Sequence, residues 1–335
     1  MVRMDLDSHA GLQTNTHRSP VARDSVIMAE DVTVSEETLT NGLSMLVKVG
    51  KVLLETAQQD AQASLRNFVP HKITVLFGLI TAGTDFYRRL EVKKKIEAEA
   101  IWQKLYHHVA VREQLEDLLQ LEREWDSFLE SVDRDLQTSD GQLSGEKTTD
   151  SLRPGTVLTD ARSGRSVTLD QYLVRGQKLL LVLIRHFGCL ASRDHVAELG
   201  VSQADLDARS VQVLVVSFGS LEGAQLWLEQ TGCSFEMLLD PQRKIYKSFG
   251  LGSSYAKVMK FVCLLQYSEY GAVDRDFPDI PFRLLEDIYQ MGGDFLLDEA
   301  GKVVFSHPSK TPLDSPTVTG ILQAVDAAGC SSHSA

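Results

Sequence analysis

A cysteine lies where the chain is predicted to pass from a buried strand into a helix. Cys189 follows six consecutive apolar residues, 179–184, and the turn-forming run Arg-His-Phe-Gly, and a helical pattern begins just after it. A thiol in the first turn of a helix faces unpaired backbone N–H groups and the positive end of the helix dipole, which favour thiolate over thiol. Cysteines so placed have pKa values of about 3.5–7.5, against about 8.5 for a free cysteine. The pattern therefore predicts a nucleophilic sulfur that can attack a peroxide oxygen or a disulfide sulfur.

Three neighbours complete the predicted site. Arg185 and Arg193 flank the turn and add positive charge that stabilises a thiolate. Ser192 stands where the second thiol of a C-x-x-C pair would be. Its hydroxyl can donate a hydrogen bond to the thiolate but cannot form a disulfide. A one-thiol cycle then needs an external thiol, or Cys233 or Cys263 brought close by folding.

The alternative to a reactive Cys189 is a buried structural cysteine, because free cysteine is among the most buried residue types. Its position between a predicted strand and a predicted helix favours the reactive interpretation. Cys233 begins another predicted strand and Cys263 lies in the apolar run KFVCLL, so both fit the core better than a resolving role. Cys330, in a polar tail, is predicted to be an inert thiol, with pairing to another chain as the alternative.

No metal or cofactor is predicted. His186 and Cys189 have the two-residue gap of a metal-ligand pair, but no second Cys/His pair accompanies them, which argues against zinc. His186 and His195 are instead candidates to assist the thiolate. The sequence contains no Gly-rich phosphate loop, no hydrolase serine motif and no paired catalytic carboxylates.

Composition narrows the class of protein. The chain has 335 residues, of which 43% are hydrophobic, which is enough for two domains with real cores. A net charge of -12 argues against nucleic-acid binding, which depends on neutralising phosphates. The apolar runs are too short for a transmembrane segment, and the polar N-terminus lacks the apolar core of a secretory signal. Four irregularly spaced cysteines suit a reducing compartment, so a cytoplasmic location is predicted.

The first half of the chain has a helical pattern. Residues 1–34 are polar and without periodicity, which predicts a disordered tail. Residues 35–137 carry leucines at steps of three, four and seven, and a helix start at Ser35. This pattern predicts an all-α domain, an antiparallel bundle or a helical hairpin, that binds a protein partner or self-associates. Residues 138–155 are rich in Ser, Thr, Gly and Asp and are predicted to form a linker.

The second half alternates strands and helices. Residues 156–328 contain buried strand patterns at 179–184 and 211–219, a helix at 221–232, and a late hairpin that turns at Gly301. This order predicts an α/β sheet domain, followed by a short tail at 329–335.

Three stretches of this half carry a resemblance to a known family. The run GTVLTDARSGRSVTLDQYLVRGQKLLLVLIRHFGC and the later EMLLDPQRKIYKSFGL and FLLDEAGKVVFSH resemble the AhpC/TSA, or peroxiredoxin-like, branch of the thioredoxin fold. Within that branch, RHFGC and MGGDFLLD look most like the peroxiredoxin-like 2 proteins and selenoprotein L. The resemblance covers residues 152–327 and implies an α/β thioredoxin-like domain with Cys189 at the nucleophile position. It also implies a peroxide or disulfide substrate, and thioredoxin or glutathione as reductant.

The sequence departs from this family at two places around the thiol. Typical members have the pattern P-x-x-x-T-x-x-C, and neither the proline nor the threonine is present before Cys189. Thioredoxin-like domains usually carry a cis-proline facing the thiol, and here Gly292, Gly293 and Asp294 occupy that place. Either another group contacts the sulfur, or the glycines leave room for a larger substrate.

The predicted function is a thiol-dependent oxidoreductase of peroxiredoxin-like type. The alternative is a redox-inactive thioredoxin-fold scaffold. A third interpretation follows from resemblance to the prostaglandin-endoperoxide-reducing members, which look like C-x-x-C proteins and therefore differ at Ser192. Because the family includes selenocysteine-containing members, position 192 is also a candidate for a substituted selenocysteine or cysteine.

Overall fold

The computed structural model describes residues 34–143 and 149–331, without the side chains of 329–331. The predicted N-terminal tail lies outside these residues except for Val34, as do residues 144–148 of the predicted linker. The predicted C-terminal tail, with the Cys330 thiol, also falls outside them apart from the end of the last helix. No helix among the described residues is long and apolar enough to cross a membrane.

The helical region contains six helices and one 3-10 turn. They are α1 (Glu36–Ala63), α2 (Leu65–His71), the turn Ile73–Phe77, α3 (Gly78–Arg89), α4 (Lys95–Leu105), α5 (Val109–Leu136) and α6 (Ser139–Leu143). Helix α1 begins at the predicted place, because the Ser35 side chain accepts a hydrogen bond from the Thr38 backbone N–H. Helix α6 lies within the stretch predicted as a linker, and its Ser139 hydroxyl accepts a hydrogen bond from Ser253 N at 2.7 Å.

The sheet region contains seven strands. They are β1 (Val157–Asp160), β2 (Ser166–Thr168), β3 (Lys178–Leu183), β4 (Val211–Ser217), β5 (Glu236–Leu239), β6 (Gly293–Leu297) and β7 (Val303–Pro308). Its helices are α7 (Leu190–Val201), α8 (Gln203–Asp207), α9 (Leu221–Thr231), α10 (Lys244–Ser248), α11 (Tyr255–Val258), α12 (Phe261–Ala272), α13 (Phe282–Leu285) and α14 (Val318–Ser331), with a 3-10 turn at Leu169–Tyr172.

All seven strands form one mixed sheet, in the order β2-β1-β5-β4-β3-β6-β7. Strands β3, β4 and β5 are parallel, and β6 and β7 continue the sheet antiparallel on the other side of β3. Both faces of β3 are buried. Leu180 and Val182 belong to one core, and Leu179 and Leu181 belong to the other. This arrangement confirms the predicted thioredoxin-like α/β fold preceded by a helical region.

Helix α12 lies between β5 and β6 in the chain but packs into the core of the helical region. Its Leu264 and Leu265 share a cluster with apolar residues of α1, α3 and α5. The backbones of α3 and α12 approach closely at Gly83 and Gly271. A Cβ at Gly83 would collide with the side chain of Ser268, and one at Gly271 would collide with Thr84.

Two carboxylates of α5 accept hydrogen bonds from the first residues of α11 and α12 or from the residue before them. Asp133 accepts hydrogen bonds from the Ser254 hydroxyl at 2.6 Å and from the backbone N–H groups of Tyr255 and Ala256 at 2.8 and 3.2 Å. Asp126 accepts one from Phe261 N at 2.9 Å. These N–H groups have no partner within their own helices, and the negative charge also suits the helix dipole. The helical region therefore determines where α12 lies.

A buried ion pair attaches α7 to the sheet. The Nε2 atom of His195 lies 2.7 Å from Oδ1 of Asp294 on β6, and both side chains are buried. Burial lowers the pKa of His195, but the hydrogen bond and charge of Asp294 outweigh burial and raise the pKa above its ordinary value.

Replacing Asp133 with alanine should lower the free energy of unfolding by about 1–3 kcal/mol, because three buried donors lose their acceptor. Urea unfolding would measure the change. Asp135→Ala, an exposed carboxylate on the same helix, is the matched control and should have little effect. An equal loss in the two variants would mean that Asp133 does not fasten α11 to α5.

The His195–Asp294 pair should make stability depend on pH. Because the pKa of His195 is raised in the folded state, the folded protein binds more protons than the unfolded chain above the ordinary histidine value of about 6.5. The free energy of unfolding should therefore fall as pH rises from about 6.5 through the folded pKa. His195→Gln should lose this pH dependence, and the variant of the exposed His107, His107→Gln, should keep it. The same pH dependence in wild type and His195→Gln would contradict a charged imidazole.

Candidate active site

Cys189 lies at the N-cap of α7, directly after the carboxyl end of the central strand β3. Pairing with β4 continues one residue past β3, where Ile184 N donates to Val216 O at 3.0 Å, and the chain then turns. Cys189 N donates to His186 O at 3.1 Å, and Cys189 O accepts from Arg193 N as the helix begins. The residue is only 2% exposed, so a reagent must enter a pocket to reach the sulfur.

The guanidinium of Arg185 is buried and contacts the sulfur. Its Nη1 atom lies 3.6 Å from Cys189 Sγ and 3.3 Å from the Tyr267 phenol oxygen. Its Nε and Nη2 atoms donate to the carbonyl oxygens of Gln290 and Ile288 at 3.1 and 2.5 Å. Within the described part of the chain, no carboxylate forms an ion pair with it.

A buried cation without a carboxylate partner has an unfavourable free energy, so the groups that contact Arg185 must compensate its charge. Burial by itself would lower the pKa of Arg185, but Cys189 and Tyr267 raise it above its ordinary value, so the guanidinium stays charged. The guanidinium thus places a buried positive charge in direct contact with the Cys189 sulfur and the Tyr267 phenol.

The sulfur opens into an apolar pocket of about 410 Å³. One wall comes from the helical region, through Phe77, Ile80 and Thr81. The opposite lining includes Phe277 and Leu285, from the segment 273–292 that connects α12 to β6. Thr81 and Phe277 are exposed, which places the mouth of the pocket between these two parts of the chain.

The connecting segment 273–292 is held over the site by two ion pairs. Arg275 pairs with Asp194 on α7 at 2.5 Å, and Arg283 pairs with Glu222 on α9 at 2.6 Å. Leu285 of this segment packs so closely on Gly188 that a Cβ there would lie 2.7 Å from the leucine side chain. A side chain at position 188 would therefore need Leu285 to shift.

Two further polar groups face the pocket. The Tyr267 ring is buried beside Tyr270 and Phe277, and burial, with the nearby Cys189, raises the pKa of Tyr267 well above its ordinary value. Burial and the charges of Arg185 and Arg193 lower the pKa of His186 well below its ordinary value. Both side chains are therefore neutral at pH 7. The Nδ1 atom of His186 is buried and has no hydrogen-bond partner among the described residues.

The structure brings only one of the three predicted neighbours into contact with Cys189, namely Arg185. Arg193 lies nearby, but its guanidinium donates to Phe187 O at 3.0 Å and to Gln230 at 2.8 Å. Ser192 has no hydrogen bond to the sulfur within the described chain. It lines a separate cavity of about 20 Å³, room for roughly one water molecule, together with His195, which bonds to Asp294 and not to the thiol.

The two glycines at the usual cis-proline place do not enlarge the substrate pocket. A Cβ at Gly292 would collide with the carbonyl oxygen of Leu183, and one at Gly293 with that of His307. Glycine is needed there because the neighbouring backbone lies so close. Of the two alternatives left open by the sequence, the structure shows the first, with Arg185 as the group that contacts the sulfur.

Neither Cys233 nor Cys263 lines the pocket at Cys189. Cys263 is fully buried in α12, and burial raises its pKa to about 11. Cys233 is half-buried, and burial raises its pKa as well. Sequence reasoning missed Tyr267, because a tyrosine in an apolar helix gives no local sign that its hydroxyl reaches a site 78 residues away.

Comparison with known proteins identifies the sheet region. Residues 198–311 match the model of the family "AhpC/TSA antioxidant enzyme", and this match begins after Cys189. Peroxiredoxin-like 2C of Mus musculus is 27% identical over 169 residues, which cover 49% of this chain and 74% of the mouse protein. Prostamide/prostaglandin F synthase of Salmo salar is 27% identical over 178 residues, which cover 52% of this chain and 88% of the salmon protein.

A plant relative bears on the predicted location. The "Thioredoxin-like protein AAED1, chloroplastic" of Arabidopsis thaliana is 28% identical over 192 residues, which cover 56% of this chain and 76% of the plant protein. Because this relative is named as chloroplastic, the cytoplasmic location of the present chain stays a prediction. The family and its relatives support a redox role. The sheet region of this chain is a peroxiredoxin-like thioredoxin-fold domain of the AhpC/TSA type.

Proposed function

We propose that the chain is a one-thiol hydroperoxide reductase in which Cys189 is the nucleophile and Arg185 stabilises its charge. The thiolate attacks the terminal peroxide oxygen, so an S–O bond forms and the O–O bond breaks. The sulfur is oxidised to a sulfenic acid, and the peroxide is reduced to an alcohol, or to water in the case of hydrogen peroxide, once its leaving oxygen takes a proton.

The observation that carries this proposal is the contact between a buried guanidinium without a carboxylate partner and the Cys189 sulfur, at 3.6 Å. A structural cysteine needs no such cation beside it. The cation occupies a site closed by two backbone carbonyls and a phenol, so its charge acts on the sulfur with little screening by water.

The shape of the site favours a peroxide over a protein disulfide. Cys189 is 2% exposed and lines a pocket of about 410 Å³, so a folded protein cannot bring a disulfide to it without displacing the connecting segment 273–292. The apolar walls also suit an organic peroxide. An apolar endoperoxide is a second candidate substrate, in keeping with the name of the salmon relative.

Regeneration uses an external thiol, for which thioredoxin and glutathione are the proposed classes. The first thiol attacks the sulfenic sulfur and forms a mixed disulfide with loss of water, and a second thiol displaces Cys189 as thiolate. The other described cysteines are poor resolving thiols because burial raises their pKa values. The helical region supplies one wall of the pocket. Its predicted role in partner binding or self-association stays a prediction.

Replacing Cys189 with serine should abolish hydroperoxide consumption in the presence of an external thiol. In the wild type, one equivalent of hydroperoxide followed by dimedone should label Cys189, as detected by mass spectrometry of its peptide. Cys233→Ser is the matched control and should retain both consumption and label. Wild-type protein that neither consumes hydroperoxide nor is labelled at Cys189 would support the redox-inactive scaffold instead.

Replacing Arg185 with methionine should slow alkylation of Cys189 by iodoacetamide at pH 7 by about 10–100-fold. This is the loss expected when a charge-assisted hydrogen bond of about 1.5–3 kcal/mol to the reactive sulfur is removed. Arg193→Met removes an equal charge nearby that does not contact the sulfur, and should have a small effect. If both variants slowed alkylation equally, the faster reaction of the wild-type Cys189 would come from the overall positive potential near the site and not from the contact with Arg185.

A further inference from the structure

We propose that Tyr267 is a catalytic residue that donates the proton to the leaving oxygen when Cys189 attacks a hydroperoxide. The inference rests on the proposed function and adds a role that this function leaves unassigned. Attack by a thiolate on a hydroperoxide expels an alkoxide, which is a strong base. A proton donor inside the pocket is therefore needed for a fast reaction.

The position of the Tyr267 phenol fits this role. Its oxygen and the Cys189 sulfur are both bonded to the same atom, Nη1 of Arg185, at 3.3 and 3.6 Å. All three side chains line the same pocket. A peroxide whose terminal oxygen meets the sulfur can thus place its second oxygen against the phenol. Among the described residues, the phenol oxygen accepts from Arg185 and its own proton has no acceptor, so that proton is available to a bound molecule.

The shared guanidinium balances the charge of the step. Before attack, Arg185 faces the thiolate. As the S–O bond forms, the sulfur becomes neutral and the expelled alkoxide takes the phenol proton. The resulting tyrosinate of Tyr267 then lies at the same guanidinium nitrogen, so the buried cation has an anionic neighbour throughout the reaction. Solvent returns the proton to the tyrosinate when the alcohol leaves.

His186 also lines the pocket, and its chemistry suits the role less well. Burial and the two arginines keep it neutral. A neutral imidazole N–H is intrinsically a weaker acid than a phenol, and of these two groups only the Tyr267 phenol has a hydrogen bond from Arg185 that can stabilise its anion. The orphaned Nδ1 atom of His186 is better suited to accept a hydrogen bond from the substrate.

The test compares oxidants that differ in their need for a proton. The leaving group of tert-butyl hydroperoxide is an alkoxide, a strong base, whereas the leaving group of peracetic acid is acetate, a weak base. Tyr267→Phe should slow single-turnover oxidation of Cys189 by tert-butyl hydroperoxide by about 100-fold. The same variant should react with peracetic acid and with iodoacetamide at nearly the wild-type rate. The matched control is Tyr270→Phe, one turn away on α12, whose phenol bonds to Asp194 and not to Arg185.

Each outcome distinguishes proton donation by Tyr267 from another role. Equal slowing with all three reagents would mean that Tyr267 only positions Arg185, and would overturn the assignment. The assignment is also overturned if Tyr267→Phe changes nothing, or if His186→Gln shows the leaving-group dependence instead. A wild-type Cys189 that is alkylated but oxidised by neither peroxide would overturn the proposed function, and the assignment with it. The two kinds of failure are distinguishable. The outcomes that overturn only the role of Tyr267 are seen with a wild type that reacts with peroxide, whereas the outcome that overturns the proposed function is a wild type that does not.

Discussion

The buried charge of Arg185 is the constraint on which the site depends. A guanidinium removed from water must have its donors satisfied, and here two backbone carbonyls, a phenol and a sulfur satisfy them. Two of these partners are fixed backbone dipoles, and the other two are the side chains of Cys189 and Tyr267. The arrangement therefore holds a thiol and a phenol at one cation, and this geometry is the basis of the proposed peroxide-reducing step.

The helical region takes part in this arrangement through α12, which carries Tyr267. Asp126 and Asp133 on α5 cap the starts of α12 and α11. Toward the other end of α12, the contacts at Gly83 and Gly271 bring its backbone close to that of α3. The same region supplies Phe77 and Ile80 to the wall of the pocket. The wall of the proposed substrate pocket that Phe77 and Ile80 form lies outside residues 198–311, which match the AhpC/TSA family, whereas α12 lies within them.

The proposed site has one sulfur, and Ser192 stands where a second thiol would be expected. Ser192, at the place of a second thiol, lies against a small polar cavity that it shares with the His195–Asp294 pair. That pair fastens α7 to β6 and so holds the helix that presents Cys189. Ser192 therefore lies at this small cavity, while the redox chemistry proposed here needs only the larger pocket that Cys189, Arg185 and Tyr267 line.

The sequence by itself determined the strand, the turn and the helix that present Cys189, because these follow from an apolar run and a helix start within some twenty contiguous residues. It also determined that Arg185 lies near the thiol, since the turn between them is short. Tertiary structure alone decided which neighbours contact the sulfur. Arg193 and Ser192 are as close in sequence as Arg185, but the helix directs them to other partners. Tyr267 reaches the site only because α12 packs between the two halves, a long-range contact that no local pattern encodes.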